Sequence, residues 1–404
     1  MNPIYVLCLL LSIFPWWYPV YALEFDEGNL QIHGFVTQAL VSSTDNNFYG
    51  QSDDGISLDF HEIGINASYR LRPNLLFSGQ VLHLENGDVD QHRFLIDYGF
   101  ADYTAIADED IQLGIRLGRV KNPFGLYTTT RDVAFTRPSI VLPQSIYFDK
   151  ARSLALSSDG GALYASYQTA IGAFDLDFVY GNANVDRGSE STFIMRADNL
   201  GEMSSKHPTQ LVRLMYTSWD DRFRLAFTWT DLTVEYEPVA DDPFPIRNYE
   251  VHLTPWIVSA QYSDGPWEIT GEYSQMRSEI SGDIPTPRGL LNYANNNTIE
   301  GYYLQGSYWI TPAWQVLLRY DVGYNNKDDR SGRTLSANTG LPTHVFFAKD
   351  WTVGLRYDVM HNLMLRTEWH HVDGTGWLSV LDNPQPNRMH RKWDLFMLMA
   401  SWRF

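Results

Sequence analysis

The sequence predicts an all-β chain closed into a transmembrane antiparallel β-barrel of about sixteen strands. Three observations carry that prediction. Apolar and polar residues alternate with a period of two, and the helical repeat of about 3.6 is not sustained over any comparable length. The breaks between the alternating segments are short and long in turn. The last segment, WDLFMLMASWRF from Trp393, sets Phe396, Leu398, Ala400 and Trp402 on one face and ends on Phe404. A soluble edge strand has little use for an exposed terminal aromatic, whereas a closing barrel strand turns that face to lipid.

Composition agrees. Aromatics make up 14% of the 404 residues, with 24 Tyr and 13 Trp, the types that favour a lipid–water interface. Apolar residues reach only 44%, and after residue 23 no run is long enough for a transmembrane helix. A barrel accounts for both, because lumen-facing polar residues dilute the lipid-facing ones. The net charge of −18 argues against nucleic-acid binding. The single cysteine, Cys8, lies in the leader, so the mature chain is expected to lack disulfides and thiolate metal sites.

Taken in order, residues 1–22 carry no charge, an apolar core from Ile4 to Phe14 and small residues at Val20 and Ala22. They read as a secretory signal peptide cleaved before Leu23. Residues 23–404 then read as one barrel domain without a separate plug. Alternation is clean in Ile63–Tyr69, Ile111–Leu117, Phe223–Trp229, Trp267–Tyr273 and Trp351–Val359. Short breaks fall at Leu71–Asn74, Ala107–Asp110, Thr169–Ala173, Trp219–Arg222, Asp264–Pro266, Thr311–Ala313 and Met360–Asn362. Long ones are expected at about 42–58, 85–91, 120–159, 182–208, 235–248, 281–298, 325–349 and 373–391. Both termini then lie on the short-turn side.

The third long loop, residues 119–160, is too long for a mere connection. It is punctuated by Pro123, Pro138 and Pro143 and carries Phe124, Leu126, Val133, Phe135, Ile140, Val141, Leu142, Ile146 and Phe148. Such a loop is not expected to stand in water. It is expected to fold inward, rest on the wall and form the pore constriction.

A barrel of this plan, with a long inward third loop, resembles the porin superfamily of Gram-negative outer membranes. The segment Gly118-Arg119-Val120-Lys121-Asn122-Pro123-Phe124-Gly125-Leu126 resembles one in the phosphate-selective porin O and P-like group. Tyr127 stands where that group often has an acidic residue, and no strand carries a cluster of lysines. The closing strand, with Trp402 and Phe404, resembles the signal read by the barrel-assembly machinery. The resemblance implies export through the periplasm to the outer membrane, contact with its lipid, a homotrimer, and passage of small hydrophilic solutes or inorganic anions.

Charge at the constriction is expected from Lys121, Arg131, Asp132, Arg137, Lys150 and Arg152. If its basic groups face the passage they favour anions; if they pair with carboxylates they anchor the loop. Parity places Arg116, Arg213, Arg224, Arg319, Arg356 and Arg366 on the lumen wall. It places Asp175, Asp177, Glu268, Glu272, Asp321, Asp358 and Glu368 there as well. Trp219, Trp267, Trp314, Trp402 and Phe404 read as the girdle near the short turns, and Tyr98, Tyr180, Trp229 and Trp369 as anchors nearer the long loops.

Enzymatic chemistry finds little support. His370 and His371 point to opposite faces of one strand and cannot share a metal. A phospholipase-like outer-membrane hydrolase would need a serine beside the outward His371. Passive diffusion through a channel is the function expected, with neither cofactor nor metal. A hydrolase and a non-conducting structural or adhesive barrel are the alternatives.

Overall fold

The computed structural model describes residues 23–194, 201–205, 207–240, 242, 245–286 and 289–404. The expected leader, residues 1–22, lies outside the described residues. Sixteen long strands form the wall. They are β1 Leu30–Ser43, β2 Phe60–Arg72, β3 Leu75–Asn86, β4 Asp90–Ala107, β5 Ile111–Lys121, β6 Ser157–Thr169, β7 Gly172–Ala183 and β8 Thr209–Ser218. They continue with β9 Phe223–Pro238, β10 Arg247–Asp264, β11 Trp267–Thr286, β12 Gly289–Thr311, β13 Trp314–Tyr324, β14 Phe347–Met360, β15 Leu363–Gly374 and β16 Lys392–Arg403. Two short strands add to it, Leu23–Phe25 beside β1 and Gly201–Ser204 beside β9.

Each strand pairs antiparallel with its neighbours in sequence, and β16 returns to β1 with a register from Leu395↔Ser43 to Arg403↔Phe35. Closure leaves no open edge within the wall, as a lipid environment demands. The join is sealed by a reciprocal backbone pair between Gly34 and Phe404. A side chain at Gly34 would overlap the Phe404 ring, so glycine is what lets that ring lie against β1.

Alternation sorts the two faces. On β16, Phe396 and Leu398 are 50% and 42% exposed, while Leu395, Met397 and Met399 are at most 2% exposed. Ile63, Ile65, Ile111, Leu113, Leu117, Phe223, Leu225, Trp267, Ile269, Trp351 and Val353 are likewise exposed, forming an outward apolar belt. At its short-turn end, aromatic rings pair across neighbouring strands: Trp267 with Tyr308 and Trp314 with Tyr357, both with centroids 4.3 Å apart, and Phe223 with Tyr262 at 4.7 Å. This is the girdle expected of rings with one wet and one dry side.

Three expectations need correction. Breaks at 85–91 and 281–298 are tight hairpins rather than long loops. β3 runs to Asn86 and β4 resumes at Asp90, while β11 runs to Thr286 and β12 resumes at Gly289. Polar and turn-forming residues there occupy paired strand positions, because ladder pairing overrides local propensity. Tyr98 is not an outer anchor. A bulge shifts the register from Gln80↔Tyr98 to Val81↔Ile96, so Tyr98 shares a face with the buried Gln80.

Candidate functional site

The chain leaves β5 at Lys121 and returns at Ser157, and the Asn122 N–H donates to the Leu156 carbonyl at 2.9 Å to close the base of this loop. Its apolar residues meet buried faces of the wall at several points, with Phe124 against Ala162, Val179 and Leu211 and Leu154 against Leu232 and Leu253. Ala134, Phe135, Ile140 and Val141 cluster with Ala39, Val41, Met397 and Met399. Leu142, Ile146 and Tyr147 cluster with Ile257 and Tyr303. The greasy inner face of β16 is therefore covered by protein. Trp377 and Leu378, from the loop before β16, complete the first cluster.

The expected constriction charges are brought together, and all but one of the basic groups is paired with a carboxylate. Arg137 donates both arms to Glu62 on β2 at 2.8 Å. Arg131 donates to Asp149 at 2.6 Å, which also accepts from the Tyr49 hydroxyl and the Gln144 amide. Lys121 bridges Asp97 on β4 and Asp132, and Arg152 also holds Asp132. These four cations, Lys121, Arg131, Arg137 and Arg152, face four carboxylates, Glu62, Asp97, Asp132 and Asp149, so the network is neutral. Burial alone would raise the Asp132 carboxyl, but Lys121 and Arg152 outweigh it and hold it well below the usual range. Lys150 is the exception. It donates to the Gly376 carbonyl at 2.7 Å, and burial lowers its ammonium to about 8.

The wall also grips the loop by its backbone. Glu368 accepts from the Ile140 and Val141 N–H groups at 2.5 and 3.2 Å. Arg319 donates to the Ser139 hydroxyl and the Val141 carbonyl, and Arg366 to the Arg137 carbonyl. Glu272 accepts from the Tyr147, Tyr303 and Ser259 hydroxyls and the Leu126 N–H. Arg356 pairs with Asp358 and lies over the Phe135 ring. Arg224 and Glu268 lie beyond these contacts, close to one another near the short turns.

A different surface faces β4–β8. There the wall borders a polar cavity of about 610 Å³ that includes Arg70, Asp102, Arg116, Tyr164, Asp177 and Arg213. Arg116 donates to Asp102 at 2.9 Å and stacks 4.5 Å from the Tyr164 ring, whose hydroxyl also donates to Asp102. Arg213 donates to Asp177 at 2.8 Å. Thr129 is the loop residue that borders the same space.

Sequence reasoning missed Glu62 on β2 and Asp97 and Asp102 on β4. Their signal was parity: Glu62 faces opposite to the exposed Ile63, the side where the loop's arginines needed partners. The bulge between Ile96 and Tyr98 hid Asp97. On the outer surface His371 lies 2.9 Å from Asp394, with Trp351 opposite it on β14.

No protein-family model matches the chain, and no curated protein matches it. Its fold matches solved structures. The anion-selective porin from Comamonas acidovorans aligns at 11% identity and TM-score 0.57, over 93% of this chain and 99% of that one. The outer membrane channel DcaP of Acinetobacter baumannii aligns at 11% and 0.57, over 95% and 100%. Salmonella typhi OmpF, in complex with daunomycin, aligns at 12% and 0.57, over 95% and 100%. At such identities the likeness is one of fold, and it covers nearly all of each chain. The chain thus has the fold of the outer-membrane porins, a closed antiparallel barrel of sixteen strands.

Proposed function

We propose that this protein is a porin-type channel of a Gram-negative outer membrane, through which small hydrophilic solutes diffuse passively. The observation that carries the reading is the polar cavity of about 610 Å³ beside β4–β8, which the loop of residues 122–156 borders only at Thr129. In this reading the segment lies across the lumen as the constriction. Lys121, Arg131, Asp132, Arg137, Lys150 and Arg152 set its width by clamping the loop. The four paired cations Lys121, Arg131, Arg137 and Arg152 form a neutral network with their carboxylates and leave little net field, so the expected charge preference is weak. Nor does the Gly118–Leu126 segment favour phosphate selectivity, since Lys121 is engaged by two carboxylates.

In the same reading the apolar belt meets outer-membrane lipid, the strand bearing Trp402 and Phe404 is engaged by the assembly machinery, and three copies associate. Diffusion makes and breaks no bond and needs no cofactor. Purified protein in planar bilayers is expected to show stepwise conductance, with a reversal potential near zero in a salt gradient. A strong anion or cation potential would overturn the neutral-clamp reading. A membrane that incorporates the protein but shows no steps would overturn the channel itself in favour of a non-conducting barrel.

A further inference from the structure

The outer surface of β13–β16 changes character row by row toward the long loops. Ladder register sets Leu318, Val353, Trp369 and Phe396 side by side across these four strands, each between 40% and 52% exposed. The next row on the same face holds Tyr320, Trp351, His371 and Asp394. There Tyr320 stacks on Trp351 with centroids 4.5 Å apart, and His371 takes Asp394 at 2.9 Å. The third row holds Val322, Lys349, Asp373 and Lys392. Successive rows on one face are about 6–7 Å apart along the strands, and the headgroup layer of a leaflet is roughly 5–7 Å deep. With the first row in hydrocarbon, the ring row falls at the interface that Trp and Tyr favour, and the charged row falls among headgroups.

That third row is basic in a chain whose net charge is −18. Arg391 joins it, donating two N–H groups to Asp373 at 2.5 and 3.0 Å. The Arg391 guanidinium and the Lys349 ammonium lie over the same ring, Phe347, at 5.5 and 5.7 Å. Both Lys349 and Lys392 are close enough to Asp373 to act on its charge. Three cations thus gather around one carboxylate, and Arg391 already occupies that carboxylate. Among the described residues neither Lys349 nor Lys392 makes an ion pair or donates a hydrogen bond; Lys349 meets only the faces of Phe347 and Tyr324. Like charges gathered in this way repel unless an anion comes between them.

Resting on the outer-membrane reading above, we infer that this strip is a binding site for one phosphate-bearing acidic lipid of the outer leaflet. Its phosphate lies among Lys349, Arg391 and Lys392, and its acyl chains lie along Trp351, Val353, Trp369 and Phe396. A phosphate offers several acceptor oxygens and a negative charge to two lysines whose ammonium donors are otherwise unspent. The apolar rows directly below give the chains a surface that a free phosphate could not use. A choline-headed lipid would bring a further cation to a patch already rich in them, so the strip discriminates by charge as well as by contact.

The test uses the whole folded protein in micelles of an uncharged detergent, titrated with dioleoyl phosphatidic acid. Native mass spectrometry reads the lipid bound per barrel. The expected result is saturable binding of phosphatidic acid that dioleoyl phosphatidylcholine, with the same chains, does not match. Lys349→Gln and Lys392→Gln should each weaken it by about fivefold, the worth of one basic residue at a lipid surface. Arg247→Gln removes the same charge from an exposed position at the start of β10 and should leave the affinity unchanged. Neither lysine holds the fold by an ion pair, and retained heat-modifiable gel mobility identifies the folded barrel in each case. Equal binding of phosphatidylcholine, or full affinity in both lysine variants, would overturn the proposal. So would an equal loss in Arg247→Gln, which would mark a general surface-charge effect. Displacement of the lipid by inorganic phosphate at constant ionic strength would assign the patch to free phosphate and overturn the lipid site. Lipid binding is read without a conductance measurement, so its failure is distinct from a failure to conduct.

Discussion

Two halves of the lumen wall share one sequence rule and meet opposite surroundings. On β13–β16 and β1–β2 the inward residues are covered by residues 122–156. Glu62, Arg319, Glu368, Met397 and Met399 are all at most 3% exposed there. On β4–β8 the inward residues Asp102, Arg116, Asp177 and Arg213 border a wet cavity. Ion pairs occur on both sides, but their worth differs. Arg137 and Glu62 have side chains 4% and 2% exposed, while Arg116 in its pair with Asp102 is 37% exposed. The first pair is a buried clasp, and the second is screened by water. Alternation tells a residue to face inward; it does not tell it what it will find.

The comparison can be broken most directly at the buried clasp. Arg137→Ala leaves Glu62 buried with only the more distant Arg152 near it, and should cost about 3–5 kcal/mol in denaturant unfolding from micelles. A loss below about 1 kcal/mol would mean that water reaches this pair. Next in size is Met399→Ala, which empties a fully buried site in the first cluster and should cost about 2–5 kcal/mol. Leu398→Ala, one residue away on the exposed face, should cost clearly less by the same measurement.

A pH experiment sharpens the picture of the dry half. Asp382, in the loop after β15, accepts from the Asp88 N–H at 2.9 Å, and burial, with Asp88 and Asp59 nearby, pushes its carboxyl from 3.8 up to about 7. Between those values the folded state holds a proton that the unfolded state releases, so this group's contribution to stability falls as pH rises through that window. Asp382→Asn resembles the protonated form. It should therefore be more stable than the parent above pH 7, by up to about 4 kcal/mol, with the gap closing towards pH 4. Equal stability at both ends, in unfolding curves across that range, would show the carboxyl to be hydrated. The smallest effect is expected on the wet side. Arg116→Ala should cost only about 0.2–1 kcal/mol, and less in high salt.

Much of the architecture could be read before any coordinates. The segment around Ile63 and Ile65, the one around Leu225 and Phe227, and the closing strand with Phe396 and Leu398 all show their exposed apolar face where alternation put it. Met397 and Met399 take the other face of the closing strand, and that apolar face finds apolar cover in the loop. Legibility failed where one residue changes the register. The bulge at Asp97 turned Tyr98 inward, and a single inserted position inverts every parity argument beyond it. It failed again in the hairpin of β11 and β12, where an Asn-rich stretch that reads as loop is held by pairing such as Ser278↔Asn297.

The sequence by itself determined the period, the strand count and, away from the bulge in β4, which side chains point inward. These follow from local rules, because a pleated strand alternates its side chains whatever surrounds it. Only the tertiary structure decided that Arg137 meets Glu62, that Arg319 and Glu368 grip the backbone of a loop, and that Asp321 stands opposite Asp350. Such contacts join residues far apart in the chain, Arg137 and Met399 being separated by 262 positions. Their energy depends on whether water is shut out, and that depends on how all the strands and loops close around them at once.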